Sequence, residues 1–209
     1  MLIKQTSELL TGWIHRSRRA PIDGARRLLR DIAVAALIIQ MAHLIEHMAQ
    51  LTYWSMNPSE APWLTPWAVA GRDLLAVDGT PAGGNEILHL LGNVIFLGGI
   101  LALGALVWRS GRKAKEVPYL SQAIILQGIH VAEHILLTVS YLAFGSVIGF
   151  STIFGTAQGV FGSSLRIWAH FLLNLTATYY AVRSVSEMHR RGLLVQRPSH
   201  RSRSLPLAG

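Results

Sequence analysis

Long apolar stretches, each crossed by a narrow polar stripe, dominate this chain. Four of them, residues 32–54, 87–108, 119–144 and 163–185, reach about 20 residues or more, the helical length that crosses the hydrocarbon core of a bilayer. The first contains Gln40, His43, Glu46 and His47, and the third contains Gln127, His130, Glu133 and His134, the same Gln-x-x-His-x-x-Glu-His pattern. With His43 at 0° and a turn of about 100° per residue, His47 falls near +40°, Gln40 near +60° and Glu46 near −60°, a single stripe about 120° wide. On the fourth stretch Arg166, His170, Asn174 and Thr178 advance by four residues along one face. On the second, Glu86, His89 and Asn93 do nearly the same. Lipid cannot satisfy such groups, so the four stripes are expected to face one another.

The pattern is an internal duplication. Each half reads as a helix with Gln-x-x-His-x-x-Glu-His followed by a helix with His-x-x-x-Asn; 87 residues separate the first pair of motifs and 81 the second. The difference falls in a loop, where insertions are tolerated. Two spans per half give both halves the same orientation, related by a pseudo-twofold along the membrane normal, and parallel repeats of this kind carry their sites at the repeat interface. The expected fold is all-α: an integral membrane four-helix bundle of two tandem two-helix repeats. Gly92, Gly98, Gly99 and Gly104 in the second span are expected to allow close helix packing. Measured from the inner ends of the spans, all six histidines reach one layer in the outer half of the membrane.

Composition agrees. Charged residues make up 14% of the 209, against about a quarter in a soluble domain. There is no cysteine, which removes disulfides and thiolate metal sites and leaves imidazole, carboxylate and amide as ligands.

Charge is distributed by topology. Seventeen of the 19 basic residues lie in residues 1–31, in the connection between the second and third spans, and from Arg183 onward; Arg72 and Arg166 are the other two. The positive-inside rule then puts both termini in the cytoplasm of a multi-pass protein of the cell (plasma or inner) membrane. Anionic lipid headgroups account for the basic tail, so nucleic acid is not an expected partner. The chain divides into a basic cytoplasmic or interfacial segment (1–31), a first repeat (32–108) with an outer loop at 55–85, a basic cytoplasmic loop (109–117), a second repeat (118–185) with an outer loop at 145–162, and a basic, disordered tail (186–209). Leu9, Leu10, Trp13 and Ile14 are expected to form a short interfacial helix, and residues 67–77 another. The N-terminus lacks the central apolar run of a cleavable signal peptide.

Ionisable groups at membrane depth are costly and mark function. The leading expectation is a metal site, dinuclear by symmetry, with His43, Glu46, His47, His89, His130, Glu133, His134 and His170 as ligands. Imidazole is the commonest metal ligand, His at i and i+4 present two nitrogens to one ion, and Glu at i+3 can bind or bridge. Gln40, Asn93, Gln127 and Asn174 are expected to support the ligands and fix imidazole tautomers. Copper or iron comes ahead of zinc, and an outward-facing site favours copper or a quinol-linked electron donor. The resulting function is a membrane oxidoreductase acting on a small or lipophilic substrate, with the outer loops as a lid, working with a redox partner or within a larger membrane complex; its oligomeric state is left open. Haem b between two axial histidines is the main alternative, but six histidines within about one turn exceed its needs. A non-enzymatic metal-handling protein, a proton path and interhelical hydrogen-bond glue are the others. His-x-x-Glu-His is also an inverted zinc-protease string, but two copies at membrane depth argue against that.

Overall fold

The computed structural model describes residues 2–57, 63–113, 116–149 and 162–194, with side chains in the first helix from residue 24 and in the last from residue 168. The described residues form five helices: α1 (Leu2–Met56), α2 (Pro66–Leu74), α3 (Pro81–Arg109), α4 (Leu120–Phe144) and α5 (Gly162–Arg190). Three are long and apolar enough to cross a membrane: Gly24–Met56 within α1, Pro81–Arg109 and Leu120–Phe144. The fourth apolar stretch falls in α5, which is 29 residues long. The side chain of Arg166, the outer loop at 150–161 and the basic tail from 195 lie outside the described residues.

α1 packs on α3, α3 on α4, α4 on α5 and α5 on α1, so the long helices close a ring with α1 opposite α4. Large apolar side chains face outward, among them Ile38, Ile45, Ile125, Val139 and Leu172, while Gln40, His47, Asn93, Gln127, His130 and Asn174 are buried. This inversion of the soluble pattern fits a helix bundle surrounded by lipid. An apolar core of small and branched side chains, including Ala33, Ile100, Leu103, Val107, Ala123, Ala177 and Ala181, fills the end nearest the α3–α4 connection. The polar residues occupy the other half.

Local signals account for the helix ends. Thr65-Pro66 opens α2 and Thr80-Pro81 opens α3; each Thr hydroxyl accepts from a first-turn N–H, of Ala68 and Gly83 respectively, and proline sits where its missing N–H costs nothing. Asp78 accepts from the Thr80 N–H and hydroxyl at 3.0 and 2.7 Å, and these bonds hold its carboxyl below the usual carboxylate range. The Tyr141 hydroxyl reaches Thr80 Oγ1 at 3.0 Å and ties α4 to the start of α3. Gly145 closes α4 at φ 67°, a left-handed C-cap that glycine adopts without strain. On the opposite side, Tyr119 takes φ 72° just before α4, and its ring stacks on Tyr180 at 5.9 Å.

Two expectations change. The segment around Leu9, Leu10, Trp13 and Ile14 is not a separate helix, since the backbone is helical without a break from Leu2; the side chains there lie outside the described residues. Of Gly92, Gly98, Gly99 and Gly104, only Gly99 marks a close approach: a Cβ there would stand 2.3 Å from Ala36 Cβ, whereas Gly92 and Gly98 face open space and Gly104 has only ordinary contact with Ile124. Glycine frequency reports tolerance of the residue type, and only position on the inward face converts it into contact.

Candidate metal centre

Polar groups are stacked in layers along the bundle. The first, above the apolar core, is a pair of amide bridges. Gln127 Nε2 donates to Asn93 Oδ1 at 2.8 Å, and Gln40 Nε2 donates to Asn174 Oδ1 at 3.1 Å. Asn93 Nδ2 donates in turn to the His89 carbonyl at 2.9 Å, and Asn174 Nδ2 to the His170 carbonyl at 3.1 Å. These bridges join α4 to α3 and α1 to α5, the two contacts a twofold axis would interchange. They bind amides to each other and to histidine main chain rather than to imidazole nitrogens, so they fix helix register one turn beneath the rings. In both glutamines Oε1 is buried without a hydrogen-bond partner.

The second layer brings the six imidazoles together. Nitrogens of His43, His47, His89 and His170 lie within 4.8 Å of one another, and so do those of His130, His134 and His170. His47 Nε2 is 3.0 Å from His43 Nε2 and 3.1 Å from His170 Nε2. His130 Nε2 is 3.2 Å from His134 Nε2 and 3.2 Å from His170 Nδ1.

Two tautomers follow from the outer partners. Gln50 Nε2 donates to Glu46 Oε1, so Gln50 Oε1, 3.1 Å from His47 Nδ1, is an acceptor and Nδ1 carries the proton. The His89 Nδ1 likewise donates to the Asn85 carbonyl at 2.8 Å. Both rings therefore turn an Nε2 lone pair inward, the arrangement a metal-binding histidine takes when its other nitrogen is held by a carbonyl.

The carboxylates face elsewhere. Glu46 accepts from the Thr65 N–H at 3.1 Å and from the Thr65 hydroxyl, and Thr65 is the residue that caps α2. Glu133 lies beside the residues that follow α4: a Cβ at Gly149 would stand 2.6 Å from its Oε1. Neither belongs to a histidine group. At about −60° from the first histidine of its motif, each Glu reaches the edge of the stripe, beside Thr65 in one half and Gly149 in the other. Replacing Glu46 with Ala should strip the buried Thr65 N–H of its acceptor, at a cost of about 1–3 kcal/mol. The expected readout is faster proteolysis between α1 and α2; an unaltered cleavage rate would show that Glu46 does not hold this loop.

A sequence family described as a family of unknown function, DUF6008, matches residues 18–203. The chain belongs to that family. No curated protein and no solved structure matches it. The DUF6008 match contains every histidine of the two groups, both amide bridges and both loop-facing glutamates.

The duplicated motif does not reveal Gln50, Thr65 or the Asn85 carbonyl. Gln50 extends the first motif to Glu-His-x-x-Gln, but the corresponding position in the second half is Leu137. A reading based on what the halves share passes over a residue present in only one of them.

Proposed function

We propose that this chain is a multi-pass membrane protein, both termini cytoplasmic, built as two tandem two-helix repeats whose histidines hold two transition-metal ions in the outer half of the bilayer. The observation that carries the reading is the convergence of six imidazoles from four helices, with His47 and His89 turning unprotonated Nε2 atoms inward. The paired bridges Gln127–Asn93 and Gln40–Asn174 support the pseudo-twofold.

The donor sets favour copper. With Glu46 and Glu133 directed at the loops, the ligands are imidazoles alone, and iron loses the carboxylate it commonly takes. Copper binds nitrogen donors most strongly of the first-row divalent ions. Oxidoreductase chemistry on a small or lipophilic substrate follows from a redox-active pair under two outer loops. Haem b fits less well. A porphyrin needs its axial rings on opposite faces of the macrocycle, whereas His47 and His170 have centroids 4.5 Å apart and His130 and His170 4.8 Å. A metal-handling role is the second reading, favoured by the turn of Glu46 and Glu133 away from the histidine groups. Stable redox cycling of bound copper favours the enzyme, and rapid exchange with a chelator favours handling.

Gln50→Leu tests whether the inward-facing His47 nitrogen binds metal, because it removes the acceptor that fixes the tautomer and leaves the ring in place. Copper affinity at that centre is expected to fall about 10–100-fold, as when other metal sites lose a supporting partner. Unchanged affinity in a competition titration would argue that His47 is not a ligand.

A further inference from the structure

His170 belongs to both histidine groups. Its Nε2 lies 3.1 Å from His47 Nε2 and its Nδ1 lies 3.2 Å from His130 Nε2, so its two nitrogens serve opposite sides of the bundle axis. Among the described residues it is the one imidazole with both nitrogens against other ring nitrogens. His47 and His89 commit Nδ1 to Gln50 and to the Asn85 carbonyl. The register of His170 is fixed from below, since its carbonyl accepts from Asn174, which Gln40 holds.

Hydrogen bonding alone leaves these contacts unexplained. His47 carries its proton on Nδ1, so its Nε2 has a single lone pair, yet two ring nitrogens approach that atom at 3.0 and 3.1 Å. A cation shared by the converging nitrogens satisfies them together. The two groups are also unequal: four rings (His43, His47, His89, His170) on one side and three (His130, His134, His170) on the other. Four imidazoles complete a four-coordinate ion, whereas three leave one position open, the usual distinction between closed and reactive metal sites.

We propose that His170 bridges two metal ions, binding through Nε2 the ion held by His43, His47 and His89 and through Nδ1 the ion held by His130 and His134, and that a small exogenous ligand enters at the latter. The proposal rests on the two-ion reading above and deepens it. When both ions bind, two metal–nitrogen bonds form at one ring and its remaining N–H bond breaks; the proton passes to bulk water, and no electron is transferred. The three-histidine ion is then the reactive one, and the four-histidine ion is a closed partner coupled to it through the ring.

The test uses the full chain in detergent, loaded with Cu(II), with bound copper counted by elemental analysis and spins by electron paramagnetic resonance at liquid-helium temperature. The bridge predicts two copper ions per chain and a spin count far below the copper count, because an imidazolate couples the two centres. In His170→Ala the copper that remains should show its full spin. Azide, used as the probe ligand, should produce a charge-transfer band in the wild type and in His89→Ala but not in His134→Ala. Two bound coppers with full spin in the wild type would overturn the bridge and leave the two-ion reading standing. A chain that binds no copper would overturn both. An azide band retained in His134→Ala would overturn the assignment of the open position. The wild-type spin count needs no variant, so the bridge stays testable even where a substitution prevents folding.

Discussion

His130→Ala is expected to release one of two bound copper ions, while His43→Ala weakens the other without emptying its centre. The difference follows from the donor count. His130 is one of three rings in its group, and its Nε2 touches both other members, His134 and His170, at 3.2 Å. Its loss leaves two nitrogens, too few to hold an ion against buffer and chelator. His43 is one of four, and its loss leaves His47, His89 and His170 to make a three-coordinate site. The drop in affinity for His130→Ala should exceed the roughly 10–100-fold that loss of a supporting partner costs, since a ligand itself is gone. Copper retained per chain after dialysis against a mild chelator measures both variants. Equal, small losses would contradict the unequal donor sets.

Gly99→Leu is expected to prevent α1 and α3 from packing. A Cβ at 99 would stand 2.3 Å from Ala36 Cβ, with Ala33 backbone close behind. Neither neighbour can rotate away, because one is a methyl fixed to the helix and the other is main chain. Overpacking in a core costs about 1–3 kcal/mol when side chains can adjust, and here the helix axes themselves must separate. That separation would also carry His43 and His47 away from His89. Gly92→Leu, at a position facing open space, is the matched control and should leave the bundle intact. Elution from size exclusion in detergent, with thermal unfolding, distinguishes the two. A Gly99→Leu protein as stable as Gly92→Leu would contradict the packing.

Sequence periodicity made the helices legible, because apolar runs of membrane length leave few alternatives: the stretch 119–144 corresponds to α4, Leu120–Phe144, almost residue for residue. Residues 67–77 were expected to contain a short helix, and α2 (Pro66–Leu74) covers most of them. The stripes identified which residues face inward, but a stripe about 120° wide cannot say what each member meets. Glu46 and His47 are neighbours in sequence, yet one turns to the α2 cap and the other to the ring cluster. That division depends on where Thr65 and the start of α2 lie against α1, and loop backbone carries no periodic signal. The amides show the same limit. Gln40 and Asn174 lie one turn from histidines, close enough in sequence to suggest contact with the rings, but each finds the other across the interface between α1 and α5. His170 could be placed in the layer from sequence, but its position between two groups depends on the orientation of α5 in the ring of helices.

Six imidazoles that hold two metal ions should show directly in the metal content of the protein. Elemental analysis of the full chain, purified in detergent without chelator, tests this most directly when paired with an ultraviolet–visible spectrum of the same sample. Two copper ions per chain and no Soret band are expected. One iron with a Soret band, or no transition metal even after incubation with copper, would contradict the two-ion reading.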